Sequence, residues 1–260
     1  MGVKRFFGLV LLLFFGIGST VGQSQTLRIA AAANTRFVMK QLQEDFKKRT
    51  GIAIEVITGA SGNLTAQIKN GAPYDLFFSA DMDFPAELYK TGFALNAPKI
   101  YALGSLIVCS RSRTDIKNWR RLLPLPAVNK IAIANPALAP YGKAAEDALK
   151  YYKLWEQVQP KLVLGESISQ VNTYVVTGSV ALAFTTEALI QELKAQQGNT
   201  EFRQLYWTKV DPAVYQKIEQ GMVVLSHAKK ENYAAAMKFF NYVSSASAGQ
   251  ILKQSGYRLP

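Results

Sequence analysis

Cysteine and histidine are almost missing from this chain: its 260 residues carry one of each, Cys109 and His227. A lone cysteine excludes an internal disulfide, so the fold has to stand on its apolar core. The same scarcity excludes a Cys/His zinc site, and neither zinc-ligand spacing nor a P-loop is found. No Gly-x-Ser-x-Gly elbow occurs, and His227 has no obvious nucleophile partner. Cys109 lies in the apolar run Leu106-Ile107-Val108-Cys109 and is expected as a buried strand residue. Asp81 and Asp83 come nearest to paired carboxylates, but no histidine or further acidic cluster joins them, so helix capping is their expected role. Acidic side chains are scarce too, 18 against 30 Lys and Arg, for a formal charge of +12. The basic residues (Lys47-Lys48-Arg49, Arg111 to Arg121, Lys229-Lys230) are scattered without interleaved aromatics. That pattern reads as a solvated surface able to steer small anions, not as a nucleic-acid groove.

No apolar run reaches the roughly 20 residues of a membrane span. Lys4 and Arg5 precede the apolar stretch Phe6 to Ile17, and small residues follow through Gly22. This is the order of a secretory signal peptide, an uncleaved anchor being the alternative. Residues 1–24 are therefore expected to be removed, with cleavage after Gly22 or Ser24, and a periplasmic mature chain of charge +10 left. No cysteine sits there to carry a lipoprotein anchor. The remainder, with 49% hydrophobic and 18% charged residues over the whole chain, is globular in composition and long enough for one or two cores.

Along the mature chain, apolar runs alternate with helical periodicity. Phe37, Leu42 and Phe46 are expected on one face of a helix from Thr35 to about Thr50, stopped by Gly51. Strands are expected at Ile52 to Thr58, Asp75 to Ser79, Leu103 to Ser110, Ile131 to Ala134, Leu162 to Leu164, Val180 to Phe184 and Met222 to Leu225. Between and after them come helices at Leu64 to Lys69, Asp83 to Lys90, Gly142 to Tyr152, Val171 to Thr177, Thr186 to Gln196, Asn232 to Ser245 and Ser247 to Lys253. Such alternation predicts an α/β fold around largely parallel sheets. Two cycles of similar size with a strand and helices left over predict two lobes and a cleft. No internal repeat stands out.

Two junctions stand apart. Ala31-Ala32-Ala33-Asn34-Thr35-Arg36 ends a strand in small residues and opens a helix, and Gly59-Ala60-Ser61-Gly62-Asn63 does the same for the next strand. Small residues admit a ligand to the backbone, and a helix start offers unpaired N–H groups to an anion. Asn34, Thr35 and Ser61 are equally the residue types that cap helices.

These junctions, with Asn70-Gly71-Ala72-Pro73-Tyr74-Asp75-Leu76-Phe77-Phe78-Ser79-Ala80-Asp81, Asn135-Pro136-Ala137-Leu138-Ala139-Pro140-Tyr141-Gly142 and Ser255-Gly256-Tyr257, resemble the periplasmic molybdate-binding proteins of ABC transporters. Order and spacing are kept over essentially the whole mature chain. The resemblance implies a two-lobed periplasmic binding protein fold of type II with two crossover strands at the hinge. Lobe 1 would hold residues 25–102 and 224–260, and lobe 2 residues 103–223. It implies capture of molybdate or tungstate as the free oxyanion, no direct metal ligation, no cofactor, no catalysis, a membrane permease as partner and a monomer. Carried over by position, the contacts fall on Asn34 (side-chain amide or main-chain N–H), Ser61 (hydroxyl and N–H), Tyr141 (phenol) and Ile168 (N–H), with Ala33 contributing through its backbone. Many members carry a ligand tyrosine where this chain has Phe184-Thr185. Tyr141 would replace it, as in the subgroup with an Ala-Pro-Tyr-Gly loop, with Thr185 the weaker substitute.

The chemistry is coherent with that set. A fully deprotonated tetrahedral dianion only accepts hydrogen bonds, so its site wants hydroxyl, amide and N–H donors and no carboxylate. Helix starts add partial positive charge, and each hydrogen bond to a charged group contributes about 1.5–3 kcal/mol. Taken singly, Tyr141 is also ordinary turn chemistry, Ile168 ordinary core, and Arg36 a solvent-facing helix residue. A sulfate or thiosulfate carrier, or a periplasmic enzyme acting on a small anion, are the alternatives.

Overall fold

A computed structural model describes residues 2, 26–112, 115–196 and 205–260. The apolar stretch of the expected signal peptide, Phe6 to Ile17, lies outside the described residues. The strands are β1 (Leu27–Ala32), β2 (Ile54–Gly59), β3 (Leu76–Phe78), β4 (Lys99–Leu103), β5 (Leu106–Ser110), β6 (Ile131–Ala134), β7 (Leu162–Gly165), β8 (Leu182–Thr186), β9 (Tyr206–Lys209) and β10 (Glu219–Val224). The α-helices are α1 (Arg36–Thr50), α2 (Ser61–Lys69), α3 (Asp83–Lys90), α4 (Trp119–Leu122), α5 (Pro140–Tyr151), α6 (Trp155–Val158), α7 (Ile168–Thr177), α8 (Glu187–Ala195), α9 (Tyr233–Tyr242) and α10 (Ala246–Gln254).

Two five-stranded sheets result, ordered β2-β1-β3-β10-β4 and β7-β6-β8-β5-β9. In each, the first three strands pair in parallel and the rest antiparallel. The buried strands β1, β5, β6 and β8 read as near-continuous apolar runs because helices cover both faces. The chain leaves the first sheet between β4 and β5 and returns between β9 and β10. These two segments are tied together by Gly104 N–H donating to Ile218 O at 2.9 Å. This is the two-lobed type II binding-protein architecture, a mixed α/β fold. The expected return at 224 falls inside β10, whose pairing with β4 begins at Glu219.

Local chemistry sets the element ends. Gly51 closes α1 at φ 73° with its N–H on Lys47 O, a left-handed position that glycine enters without strain. The face of α1 that packs inward is Val38, Met39, Leu42 and Phe46; Phe37, expected there, is only half-buried. Leu103 to Ser110 is not one strand, since Gly104 and Ser105 separate β4 from β5. Cys109 is buried in β5, where desolvation pushes its thiol up to about 12. That excludes a thiolate nucleophile at neutral pH.

Candidate oxyanion-binding site

In each sheet the first strand of the cycle lies between its two successors: β1 between β2 and β3, β6 between β7 and β8. Ligands of open α/β sheets bind at such switch points, beyond the carboxyl ends of the strands. At those ends the chain turns straight into helices. A single 3-10 turn (Ala33–Thr35) and α1 follow β1, α2 follows β2, α5 follows β6, and α7 follows β7. Four helix starts thus face one another across the cleft, two from each lobe.

They enclose one small cavity of about 210 Å³, open solvent included. The first lobe lines it with Ala32, Ala33, Asn34, Gly59, Ala60, Ser61 and Ala80, the second with Ala139, Pro140, Tyr141 and Ile168. All five positions singled out in the sequence (Ala33, Asn34, Ser61, Tyr141 and Ile168) meet here. No lining residue is charged, and no group of acidic, Cys or His side chains suited to a metal ion occurs among the described residues.

The lobes are shut on one another. Gly62 N–H donates to Leu138 O at 3.0 Å. Ser169 Oγ donates to Ala33 O at 3.3 Å, and Asn63 Nδ2 to Glu166 Oε1 at 3.1 Å. Arg36 pairs with Glu192 at 2.7 Å on the rim, outside the cavity lining; exposed pairs of this kind contribute little.

The hydroxyls are set up differently in the two lobes. Ser61 is the first residue of α2, and its Oγ accepts the Ala80 N–H at 3.1 Å. One lone pair is thereby used and the O–H is left to donate. Tyr141 is 2% exposed, and its Oη has no hydrogen-bond partner among the described residues. Burial, and after it the neighbouring tyrosines Tyr257, Tyr101 and Tyr215, push its phenol well above the usual range, so it stays a donor. Ile168 is the first residue of α7 and 4% exposed. The N–H groups of a first helical turn have no partner within the helix, so Ser61, Tyr141 and Ile168 each hold one there.

Asn34 corrects a sequence reading. It caps no helix, and its side-chain amide is spent inward: Nδ2 donates to Gln220 Oε1 at 2.8 Å and to Tyr257 Oη at 3.1 Å. Tyr257 in turn donates to Asn34 O at 2.7 Å, and Tyr101 donates to Gln220 Oε1 at 3.0 Å. Asn34 therefore has only its main-chain N–H to offer the cavity. Thr35 does not cap either; its hydroxyl donates to Ala32 O. Gln220, Tyr101 and Tyr257 escaped sequence reasoning as a supporting set, although Tyr257 falls in a matched motif.

The remaining candidates lie elsewhere. Phe184 packs edge-on against Trp119 with ring centroids 5.4 Å apart, and Thr185 donates to Asn172. Asp81 accepts from Ser79 Oγ at 2.9 Å and from Phe84 N–H at 3.3 Å at the start of α3, and burial pushes its carboxyl up to about 6. His227 sits 3.4 Å from Asp75, away from the cavity.

Comparison with known proteins agrees with this architecture. The family model for the bacterial extracellular solute-binding proteins matches residues 27–258. The molybdate-binding protein ModA of Azotobacter vinelandii is 31% identical over 252 residues, covering 96% of this chain and 97% of the relative. Its Rhodobacter capsulatus counterpart is 30% identical over 229 residues, covering 88% and 86%. The solved Azotobacter vinelandii periplasmic molybdate-binding protein superposes with a TM-score of 0.81, covering 90% of this chain and 99% of that one. The chain belongs to the bacterial extracellular solute-binding family, within the group these molybdate-binding relatives define: binding proteins, not enzymes.

Proposed function

We propose that this protein captures molybdate, and tungstate equally, as the free tetrahedral dianion outside the cytoplasm. One observation carries the reading: the cavity between the lobes is lined by neutral groups only, with hydrogen-bond donors from both sides. Ser61 supplies its hydroxyl and N–H, Tyr141 its phenol, and Asn34, Ala33 and Ile168 their main-chain N–H groups. Four helix starts add favourable potential without a full countercharge. Hydrogen phosphate, which keeps a proton at neutral pH, needs an acceptor facing that proton, and no carboxylate lines this cavity. The names of the relatives favour molybdate over other dianions. The Ala139-Pro140-Tyr141-Gly142 loop supports the reading that the chain falls in the subgroup in which this tyrosine replaces the one missing at Phe184.

The protein works as a monomer in the periplasm after loss of residues 1–24, needs no cofactor, and delivers its ligand to the permease of an ABC transporter. Calorimetric titration with molybdate, tungstate, sulfate and phosphate tests the reading. Saturable one-to-one binding of the first two, with sulfate far weaker and phosphate silent, is the expected result. Preference for sulfate or phosphate, or turnover of any ligand, would overturn it.

A further inference from the structure

Gly104 lies in the first crossover, between β4 and β5, and its glycine identity has no conformational reason: its φ is not among the left-handed ones. The reason is space. A methyl carbon built on Gly104 would lie 2.1 Å from Tyr141 Oη, 3.0 Å from Tyr141 Cζ and 3.0 Å from Ile218 Cγ2. The phenol of lobe 2 therefore rests directly on the backbone of the hinge. That backbone is held from two sides. Gly104 N–H donates to Ile218 O at 2.9 Å, and Leu103 exchanges backbone hydrogen bonds with Arg258 at 2.8 and 3.0 Å. The hinge does not yield, so any added bulk must displace the tip of the tyrosine.

We infer that Gly104 is a positioning residue for the oxyanion site, setting the Tyr141 hydroxyl at the base of the cleft through direct contact with the hinge backbone. The inference rests on the proposed role of Tyr141 and adds a residue that touches no ligand. The displaced atom is the far end of a side chain and not backbone. Gly104→Ala therefore disturbs binding while sparing the fold, since the phenol swings where a main chain would have to break.

The test is a double-mutant cycle over wild type, Gly104→Ala, Tyr141→Phe and the combined variant, read by molybdate calorimetry and by thermal unfolding without ligand. Gly104→Ala should weaken molybdate binding about 10- to 100-fold, the loss of one hydrogen bond to a charged group, with the ligand-free melting temperature within a few degrees of wild type. In the Tyr141→Phe background the same alanine should cost less than about threefold, because no hydroxyl is left to misplace. Unchanged affinity in Gly104→Ala, additive losses in the combined variant, or a Gly104→Ala chain that does not fold would each overturn the inference. A wild type that binds no molybdate would instead sink the proposed function, so the two failures are told apart.

Discussion

Removing the hydroxyl of Tyr141 should lower affinity and leave stability nearly unchanged. Tyr141 is 2% exposed and its oxygen has no protein partner among the described residues. That oxygen is not one of the fully buried, partnerless side-chain atoms and opens onto the cleft, so Tyr141→Phe should leave the ligand-free protein within about 1 kcal/mol of wild type. With the anion bound, the same oxygen donates one charge-assisted hydrogen bond of about 1.5–3 kcal/mol, so the Kd should rise about 10- to 100-fold. Urea unfolding by linear extrapolation measures the first quantity and calorimetric titration the second. A tyrosine retained for packing would give the reverse pattern, with stability falling by more than about 1 kcal/mol and Kd unchanged. That result would refute both the unpartnered hydroxyl and its role.

Three further outcomes follow from the geometry. Ser61→Ala removes both the acceptor of the Ala80 N–H and a ligand donor, so it should lower ligand-free stability by about 1–3 kcal/mol and weaken molybdate about 10- to 100-fold; equal stability by urea unfolding would contradict it. Asp81, raised to about 6 from 3.8 by burial, binds its proton more tightly when folded, so its ionisation opposes folding above pH 6. Stability from this group rises as pH falls from 7 to 4, and Asp81→Asn should be more stable than wild type by about 2–3 kcal/mol at pH 7, the gap closing near pH 4; a constant gap in urea midpoints would refute it. Gly142→Ala places a methyl carbon 2.1 Å from the carbonyl oxygen of Ala134, a clash with backbone at the start of α5. It should destabilise by about 1–3 kcal/mol or more and weaken binding, read by thermal unfolding and titration; a wild-type melting temperature would contradict the close approach.

The parts of the fold that the sequence disclosed are those whose burial leaves a periodic trace. The apolar run Leu27-Arg28-Ile29-Ala30, the stripe of α1 with its Gly51 stop, and the apolar strands β5, β6 and β8 are written in side-chain pattern because helices cover them. The edge strands β4 and β9 carry mixed, half-buried side chains and left no such trace. Helices α2, α5 and α7 start two or three residues before their apolar periodicity does. Their first turns, Ser61, Pro140-Tyr141 and Ile168, face the cavity and not a core, so function there hides structure. The duplication of the β1-β2 and β6-β7 switch points is plain in the topology and invisible in the residues, because parallel sheets ask only for apolar character.

The site was legible through its motifs, while the orientation of Asn34 was not. Capping predicts a side chain turned to its own helix, yet Gln220 and Tyr257, 186 and 223 residues away in sequence, capture it. Competition from such distant buried partners decides which donor Asn34 presents, and local propensity carries no information on it. Gly104 is silent for the same reason: its small size answers to a phenol 37 positions later.

Anomalous diffraction at the molybdenum edge, from crystals grown with molybdate, would locate the anion in the protein. One peak is expected, in the cavity between the lobes, with oxygens within hydrogen-bond distance of both Ser61 Oγ and Tyr141 Oη. A peak outside that cavity, or one contacted by a carboxylate or by a single lobe alone, would contradict it.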